Sequence, residues 1–300
     1  MFDKQFQRHN LMSYTNDEEL TLREILLDKL NFSVRSLSKM KREESVKVNK
    51  KFEKLNTKIK VGDLIEVNID EERANFEPQD LNLDIIYDDF DLIMVNKPPF
   101  MVVHPTKSHN TNTIANGVSY YIIQNDENVK IRFVNRLDMN TSGLVIVAKN
   151  AYAHHVLSQD MSEDKVEKTY ITVVKGIVEN EKATINAPIY RPTEDSIKRV
   201  VDERGQQSVT HYKVLERLND ATVLEVKLET GRTHQIRIHM AHIGHPIIGD
   251  ELYGYVDENL INRQALHAYS LEFEQPRTKE NLKFKAEIPN DIKQLINKLK

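Results

Sequence analysis

The chain has no cysteine among its 300 residues, which excludes a disulfide framework, a thiolate nucleophile and a Cys-ligated zinc. It has no run of about 18 apolar residues, so no segment reads as a membrane-spanning helix. Its first residues, Met1-Phe2-Asp3-Lys4-Gln5-Phe6-Gln7-Arg8, lack the apolar core of a secretory signal. Internal repeats and low-complexity tracts are missing as well. What is present, 39% hydrophobic and 29% charged residues, fits a globular chain of one large domain or a large one plus a small one. The cytoplasm is the expected compartment.

Excess positive charge is also lacking: the net charge is −4. The distribution says more than the sum. Between Leu20 and Val61 there are twelve Lys or Arg and five Asp or Glu, so a basic block sits on an acidic body. Such a block is either a phosphate-docking surface or a solvated lysine-rich face. Within it, Leu22, Ile25, Leu26 and Leu30 recur at helical spacing from Thr21. A second helix is expected from Val34 to Glu43, with Arg35, Lys39 and Arg42 on one face and Leu37 and Met40 on the other. Short strands are expected at Val46–Asn49 and Leu64–Val67, with a Val61-Gly62-Asp63 turn. Residues 1–19 read as a loose arm or one short strand, and an acidic linker, 71–82, follows the block.

From residue 83 to 300 the pattern changes to a larger domain. Strands are expected at Ile85–Tyr87, Leu92–Val95, Leu144–Ala148, Thr169–Val174, Ser208–Leu215, Thr222–Leu228, Ala265–Phe273 and Leu282–Ile288. Helices are expected at Asn112–Gln124, Ala151–Met161, His234–Ile243 and Asp291–Lys300. Many strands with fewer, interspersed helices imply a mixed α+β domain.

Three blocks in this domain carry chemistry. In Asn135-Arg136-Leu137-Asp138-Met139-Asn140-Thr141-Ser142-Gly143 a carboxylate lies in a polar, Gly-ended loop just before the apolar strand Leu144–Ala148. Loops held by strands are where reactive groups are displayed, although an isolated Asp here also reads as an Asx-turn former. In Glu167–Gly176, Tyr170 shares a strand face with Thr172 and Val174. In Thr230-Gly231-Arg232-Thr233-His234-Gln235-Ile236-Arg237-Ile238-His239-Met240, Thr233 is expected to cap a helix starting at His234, ended by Gly244 and Pro246. Ile236, Met240 and Ile243 form its buried stripe, and Arg232 at the helix mouth is placed to meet a carboxylate. His239 and His242, three apart on this helix, are a possible metal pair. No acid is built into the run, Asp250 and Glu251 being the next acids along the chain.

The Asp138 and Arg232 blocks together resemble the RluA-type RNA pseudouridine synthases over about Leu83 to Ile288. Val95-Asn96-Lys97-Pro98-Pro99-Phe100-Met101-Val102-Val103-His104-Pro105 is similar to the opening motif of that family's catalytic domain. Two departures stand out: Phe100 where a Gly is common, and Asn135 where His is usual. The basic helix pair with its short strands, residues 20–70, resembles a small S-four-like RNA-binding domain. The resemblance implies an α+β fold, with a mixed, largely antiparallel sheet flanked by helices and a small α/β RNA-binding domain ahead of it. It implies an isomerase without cofactor or metal, in which Asp138 is the essential carboxylate, Arg232 pairs with it and Tyr170 packs on the target base. Arg136 would fill the gap left by a flipped nucleotide. Asn135 and Ile236 would lie near the RNA, and Arg35, Lys39 and Arg42 would meet its backbone. The expected partner is ribosomal or transfer RNA, and the expected state is a monomer. Two other readings stay open: an RNA-docking protein with an idle pocket, and a histidine-dependent metallohydrolase.

Overall fold

The computed structural model describes residues 7–69, 76–106, 109–127 and 129–300. The first six residues of the expected arm and residues 70–75, where the expected linker begins, lie outside the described residues. Two sheets organise the rest. The smaller has strand order β1-β6-β3-β4, from β1 (Leu11–Thr15), β3 (Val46–Val48), β4 (Lys51–Phe52) and β6 (Leu64–Asn68), all pairs antiparallel. A two-stranded pair, β2 (Leu20–Thr21) with β5 (Lys58–Ile59), lies beside it.

Residues 11–15, expected as arm or strand, are thus an edge strand of the small sheet, with Met12 and Tyr14 buried in its core. The small unit therefore starts ahead of residue 20. The first helix is a single α-turn, α1 (Leu22–Glu24), that widens into a π-turn over Ile25–Lys29. Thr21 and Glu24 cap it reciprocally: the Thr21 amide donates to the Glu24 carboxylate at 2.8 Å, and the Glu24 amide donates to the Thr21 hydroxyl at 3.3 Å. The second helix, α2 (Val34–Glu43), has the expected bounds and is capped by Ser33. Its Leu37 and Met40 are buried, whereas Arg35 and Arg42 are exposed. Asn49 and Lys50 both take φ > 0, as a two-residue hairpin turn between β3 and β4 requires.

The larger sheet runs β12-β15-β16-β11-β17-β10-β8-β7, with β18 added to β17 and β9 to β10. Its strands are β7 (Asp84–Asp88), β8 (Leu92–Lys97), β9 (Arg132–Phe133), β10 (Ser142–Ala148), β11 (Glu167–Lys175), β12 (Lys182–Asn186), β15 (Val209–Arg217), β16 (Ala221–Leu228), β17 (Leu266–Glu274) and β18 (Asn281–Lys285). A separate hairpin, β13 (Ile189–Tyr190) with β14 (Val200–Val201), projects between β12 and β15. Among the described residues only the β10–β17 pair of this sheet is parallel, so the sheet is largely antiparallel. The helices are α3 (Ile114–Gln124), α4 (Ala151–Ser162), α5 (Gln235–His242) and α6 (Asn290–Leu299).

The continuous apolar run of β10 makes it a central strand covered on both faces. Val145 and Val147 pack with Ile114, Val118 and Ile122 of α3. Leu144 and Ile146 pack with Ala153 and Leu157 of α4. Gly143 adopts φ +114°, and a Cβ there would collide with the backbone of Ala268. The close β10–β17 approach therefore requires glycine, and it fixes the end of the loop that carries Asp138.

The small unit is tied to the large one by buried groups. Tyr152 and Val156 of α4 enter its core. Arg277 pairs with Asp91 at 2.7 Å, both side chains fully buried, and donates to the carbonyls of Arg8 and Leu11 at 3.0 and 2.9 Å. Among the described residues, no helix is long and apolar enough to cross a membrane.

Candidate active site

The loop between β9 and β10 presents Asp138, and its backbone is held from below by two buried basic side chains. Lys97, at the end of β8, donates to the carbonyls of Met139 and Met101 at 2.8 Å and of Pro98 at 2.9 Å. Burial and the nearby Arg263 charge pull this amine down to about 7, while Asp138 acts in the opposite direction. Arg263 donates to the Asn140 carbonyl at 3.0 Å and forks onto Asp291 at 2.6 and 3.0 Å. The Asp138 carbonyl accepts from the Thr141 amide at 3.0 Å, which closes the loop. The carboxylate itself stays accessible, with 29% of its side chain exposed.

The guanidinium on this carboxylate belongs to Arg237, not to Arg232 as expected. Arg237 Nη1 lies 2.8 Å from Asp138 Oδ2. Its Nε and Nη2 fork onto Asp250 at 2.7 and 2.8 Å, and the Asp250 side chain is fully buried. Burial alone would raise the Asp250 carboxyl, but the Arg237 hydrogen bonds and charge, with the amides of Leu252 and Tyr253, hold it below its usual range. Arg237 is thus a charged clamp fixed on one side and offered to Asp138 on the other.

The exchange of arginines follows from how α5 begins. Thr233 does not cap it. The helix starts at Gln235, with His234 in the left-handed region at φ 59°. The helix has no side-chain cap; the Gln235 side chain instead ties down the segment ahead of it, its Oε1 accepting from the Arg232 amide at 3.0 Å and from the Thr230 hydroxyl at 2.8 Å. Arg237 falls on the inner side of the first turn. Arg232 stays exposed, and its nearest bond is a 3.4 Å contact to the Gln207 carbonyl.

A small open cleft of about 70 Å³ lies over Asp138, walled by Arg136, Tyr170, Arg232, His234, Ile236 and Arg237. The structure therefore brings Asp138, Tyr170, Arg136, Ile236 and Arg232 around one opening. The Tyr170 hydroxyl has no hydrogen-bond partner among the described residues, and burial and the Asp138 charge push it up to about 12. It is a protonated phenol at neutral pH. Ile236 is almost fully buried and offers an apolar edge. Arg136 is exposed at the rim, near His104, whose imidazole is pushed down first by burial and then by the Arg136 charge.

Asn135 does not face the cleft as an RNA contact. Its amide donates to the Leu144 carbonyl at 3.1 Å and its Oδ1 accepts from the Ile146 amide at 2.8 Å. Both polar atoms are used to extend the β10 edge beyond β9. Phe100, where a Gly is common, itself takes φ 63°. The expected metal pair separates, because His239 is fully buried and spends Nδ1 on Thr210 Oγ1 at 2.8 Å and Nε2 on the Ala187 carbonyl at 3.0 Å. Among the described residues no three His, Asp or Glu side chains are grouped to hold a metal ion.

Sequence reasoning missed Arg237, Asp250, Arg263, Lys97, His234 and Tyr253. Arg237 had a usable signal, since an arginine set among Ile236, Ile238 and Met240 must be buried and needs an acidic partner. Arg263 and Asp250 had none.

The class of protein to which this largely antiparallel sheet, with its loop-borne carboxylate, arginine clamp and tyrosine in one cleft, belongs is given by its likeness to known proteins. Residues 91–242 match the family described as RNA pseudouridylate synthase. A Bacillus subtilis protein titled "Uncharacterized RNA pseudouridine synthase YlyB" is 42% identical over 85% of this chain and 86% of its own length. The "Ribosomal large subunit pseudouridine synthase D" of Haemophilus influenzae is 36% identical over 81% and 79%. Among solved structures, "Human RNA Pseudouridylate Synthase Domain Containing 1" superposes with a TM-score of 0.58 at 28% identity, covering 72% of this chain and 86% of that one. This chain belongs to the RNA pseudouridine synthases. It is an isomerase of RNA uridines.

Proposed function

We propose that this chain converts uridines of ribosomal RNA to pseudouridine with Asp138 as its essential carboxylate. The observation that carries the reading is the Asp138 carboxylate, accessible in the cleft yet held at 2.8 Å by Arg237. The reaction breaks the bond between ribose and uracil N1, turns the ring and rejoins it through C5. It needs a charge-bearing group at the sugar or base, and an ionised, oriented carboxylate supplies that. Arg237 fixes the direction of the carboxylate. Tyr170 packs on the uracil, and Ile236 lines its apolar side.

A uridine stacked in RNA has to be extruded to reach Asp138, at a cost of a few kcal/mol. Arg136, planar and at the rim, is suited to fill the vacated stack. Arg232 leads from the cleft into a neighbouring groove lined by Arg191, Arg199 and Arg204, a path for the RNA backbone. The α2 face with Arg35, Lys39 and Arg42 is the docking surface of an S-four-like unit, binding phosphates with little sequence preference. Ribosomal RNA is the proposed substrate because relatives similar over most of their length are titled as acting on the large ribosomal subunit. A monomer working in the cytoplasm fits this reading.

The test is tritium release from RNA labelled at uridine C5, prepared from cells lacking the gene and split into ribosomal and transfer fractions. Release from ribosomal RNA by wild type, absent with Asp138→Asn, is the expected result. Release from transfer RNA alone would move the substrate. RNA binding with no release from either fraction would leave a docking protein.

A further inference from the structure

We propose that His234 is a catalytic residue of this site: as a neutral imidazole oriented by Tyr253, it donates a hydrogen bond from Nε2 to a carbonyl oxygen of the detached uracil. The inference rests on the isomerase reading of the cleft. Its basis is a chain of contacts leading away from Asp138. His234 Nε2 lies 3.7 Å from Asp138 Oδ2, on the wall of the cleft. Its Nδ1 lies 2.9 Å from the Tyr253 hydroxyl oxygen, and that oxygen accepts from the Arg199 amide at 2.8 Å.

These contacts select the tautomer. A phenol carries a single proton, and with the Arg199 amide already donating to the oxygen, that proton is free to go to Nδ1. The imidazole proton then sits on Nε2, directed at the carboxylate and the cleft. The opposite tautomer would set an Nε2 lone pair against Asp138, which is repulsive. The groups facing the ring are Asp138, Arg237, Arg199, Asp250 and Tyr253. Burial first, then the Arg237 and Arg199 charges, push the imidazole below its ordinary range, while Asp138 and Asp250 act against them. The ring is therefore a neutral donor at neutral pH. Its backbone is held at φ 59°, a conformation that is costly for a residue with a Cβ and that turns the ring into the cleft.

In the isomerisation the C1′–N1 bond breaks with its electron pair on the ring, the C1′–C5 bond forms with a pair drawn from the ring, and the C5 hydrogen is exchanged for one on N1. Between these steps the free uracil carries extra electron density on its carbonyl oxygens. A neutral donor fixed beside Asp138 stabilises that density and keeps the ring in the cleft while it turns. His234 gains and loses no proton in this account.

The test separates the two ring nitrogens. Asn at 234 tolerates positive φ and keeps an atom near the Nδ1 position, but has none at Nε2. Gln places its amide near Nε2. With C5-tritiated RNA under single-turnover conditions, His234→Asn is expected to fall about 100-fold with RNA affinity unchanged, and His234→Gln to recover most of the loss. Tyr253→Phe, which releases the tautomer, is expected to show a smaller loss. A wild-type rate for His234→Asn would overturn the proposal, and so would a Gln variant no faster than Asn. Absence of release by the wild-type protein would instead withdraw the isomerase reading beneath it.

Discussion

Arg237 stands 2.8 Å from Asp138 across 99 residues of chain, and it can do so only because Asp250 holds its other edge. The clamp divides stability from catalysis. Removing Asp250 strands a buried guanidinium, so Asp250→Ala is expected to cost roughly 3–5 kcal/mol, read by denaturant unfolding. Arg237→Lys supplies a point charge in place of a fork. It is expected to fold while losing most of its single-turnover rate, because a lysine cannot hold both carboxylates.

Arg232 is expected to behave differently from Arg237. Its side chain is exposed between the cleft and the basic groove. Arg232→Ala should weaken RNA binding and reduce the salt dependence of log K by about one, with the rate at saturating RNA little changed. A large loss of rate at saturation would return Arg232 to the carboxylate.

The α2 face yields a second salt measurement. Replacing Arg35, Lys39 and Arg42 by Ala should flatten the salt dependence of binding by about one for each phosphate no longer neutralised. The melting temperature should stay close to wild type, since Arg35 and Arg42 are exposed and the pairs of Lys39 and Arg42 with Glu43, at 3.9 and 3.2 Å, lie at the surface. An unchanged slope would make the basic block a solvated face.

Acid should loosen the catalytic loop through His267. This buried imidazole on β17 bonds Ser142 Oγ at 2.9 Å and the Ala286 carbonyl at 3.2 Å, and burial first, with Arg263 assisting, pulls it from 6.5 to about 4. Its folded pKa lies below the unfolded one, so between pH 6.5 and 4 the unfolded chain binds more protons and stability falls as pH falls. The loss approaches roughly 3 kcal/mol by pH 4. Urea unfolding at pH 7 and pH 4.5 should show it in the wild type and a smaller drop in His267→Gln.

Gly143→Ala should be the most damaging small change near the loop. The added Cβ meets the Ala268 backbone, and the φ of +114° is unsuited to alanine. A drop in melting temperature together with loss of activity is expected. A stable, active variant would show that the β10–β17 approach is not needed to hold Asp138.

Much of this protein was written in local pattern. The apolar run Leu144–Ala148, the alternating strands and the bounds of α2 followed from side-chain period alone, because period decides which face is buried. The Asp138 block was legible because a carboxylate in a short loop before a buried strand is a local arrangement. The edge strand Leu11–Thr15 was harder because its partner β6 lies far along the chain, and the β13–β14 hairpin because two-residue strands leave little periodic signal. Which arginine meets Asp138 was decided only in three dimensions. His234 in the left-handed region and the Gln235 side chain holding the Arg232 amide turn Arg232 outward and Arg237 inward, and no local propensity ranks two arginines five positions apart. Asp250, Lys97 and Arg263 reach the site in the same way. A buried charge is tolerated only where the fold brings it a partner, and those partners are fixed by packing rather than by proximity in sequence.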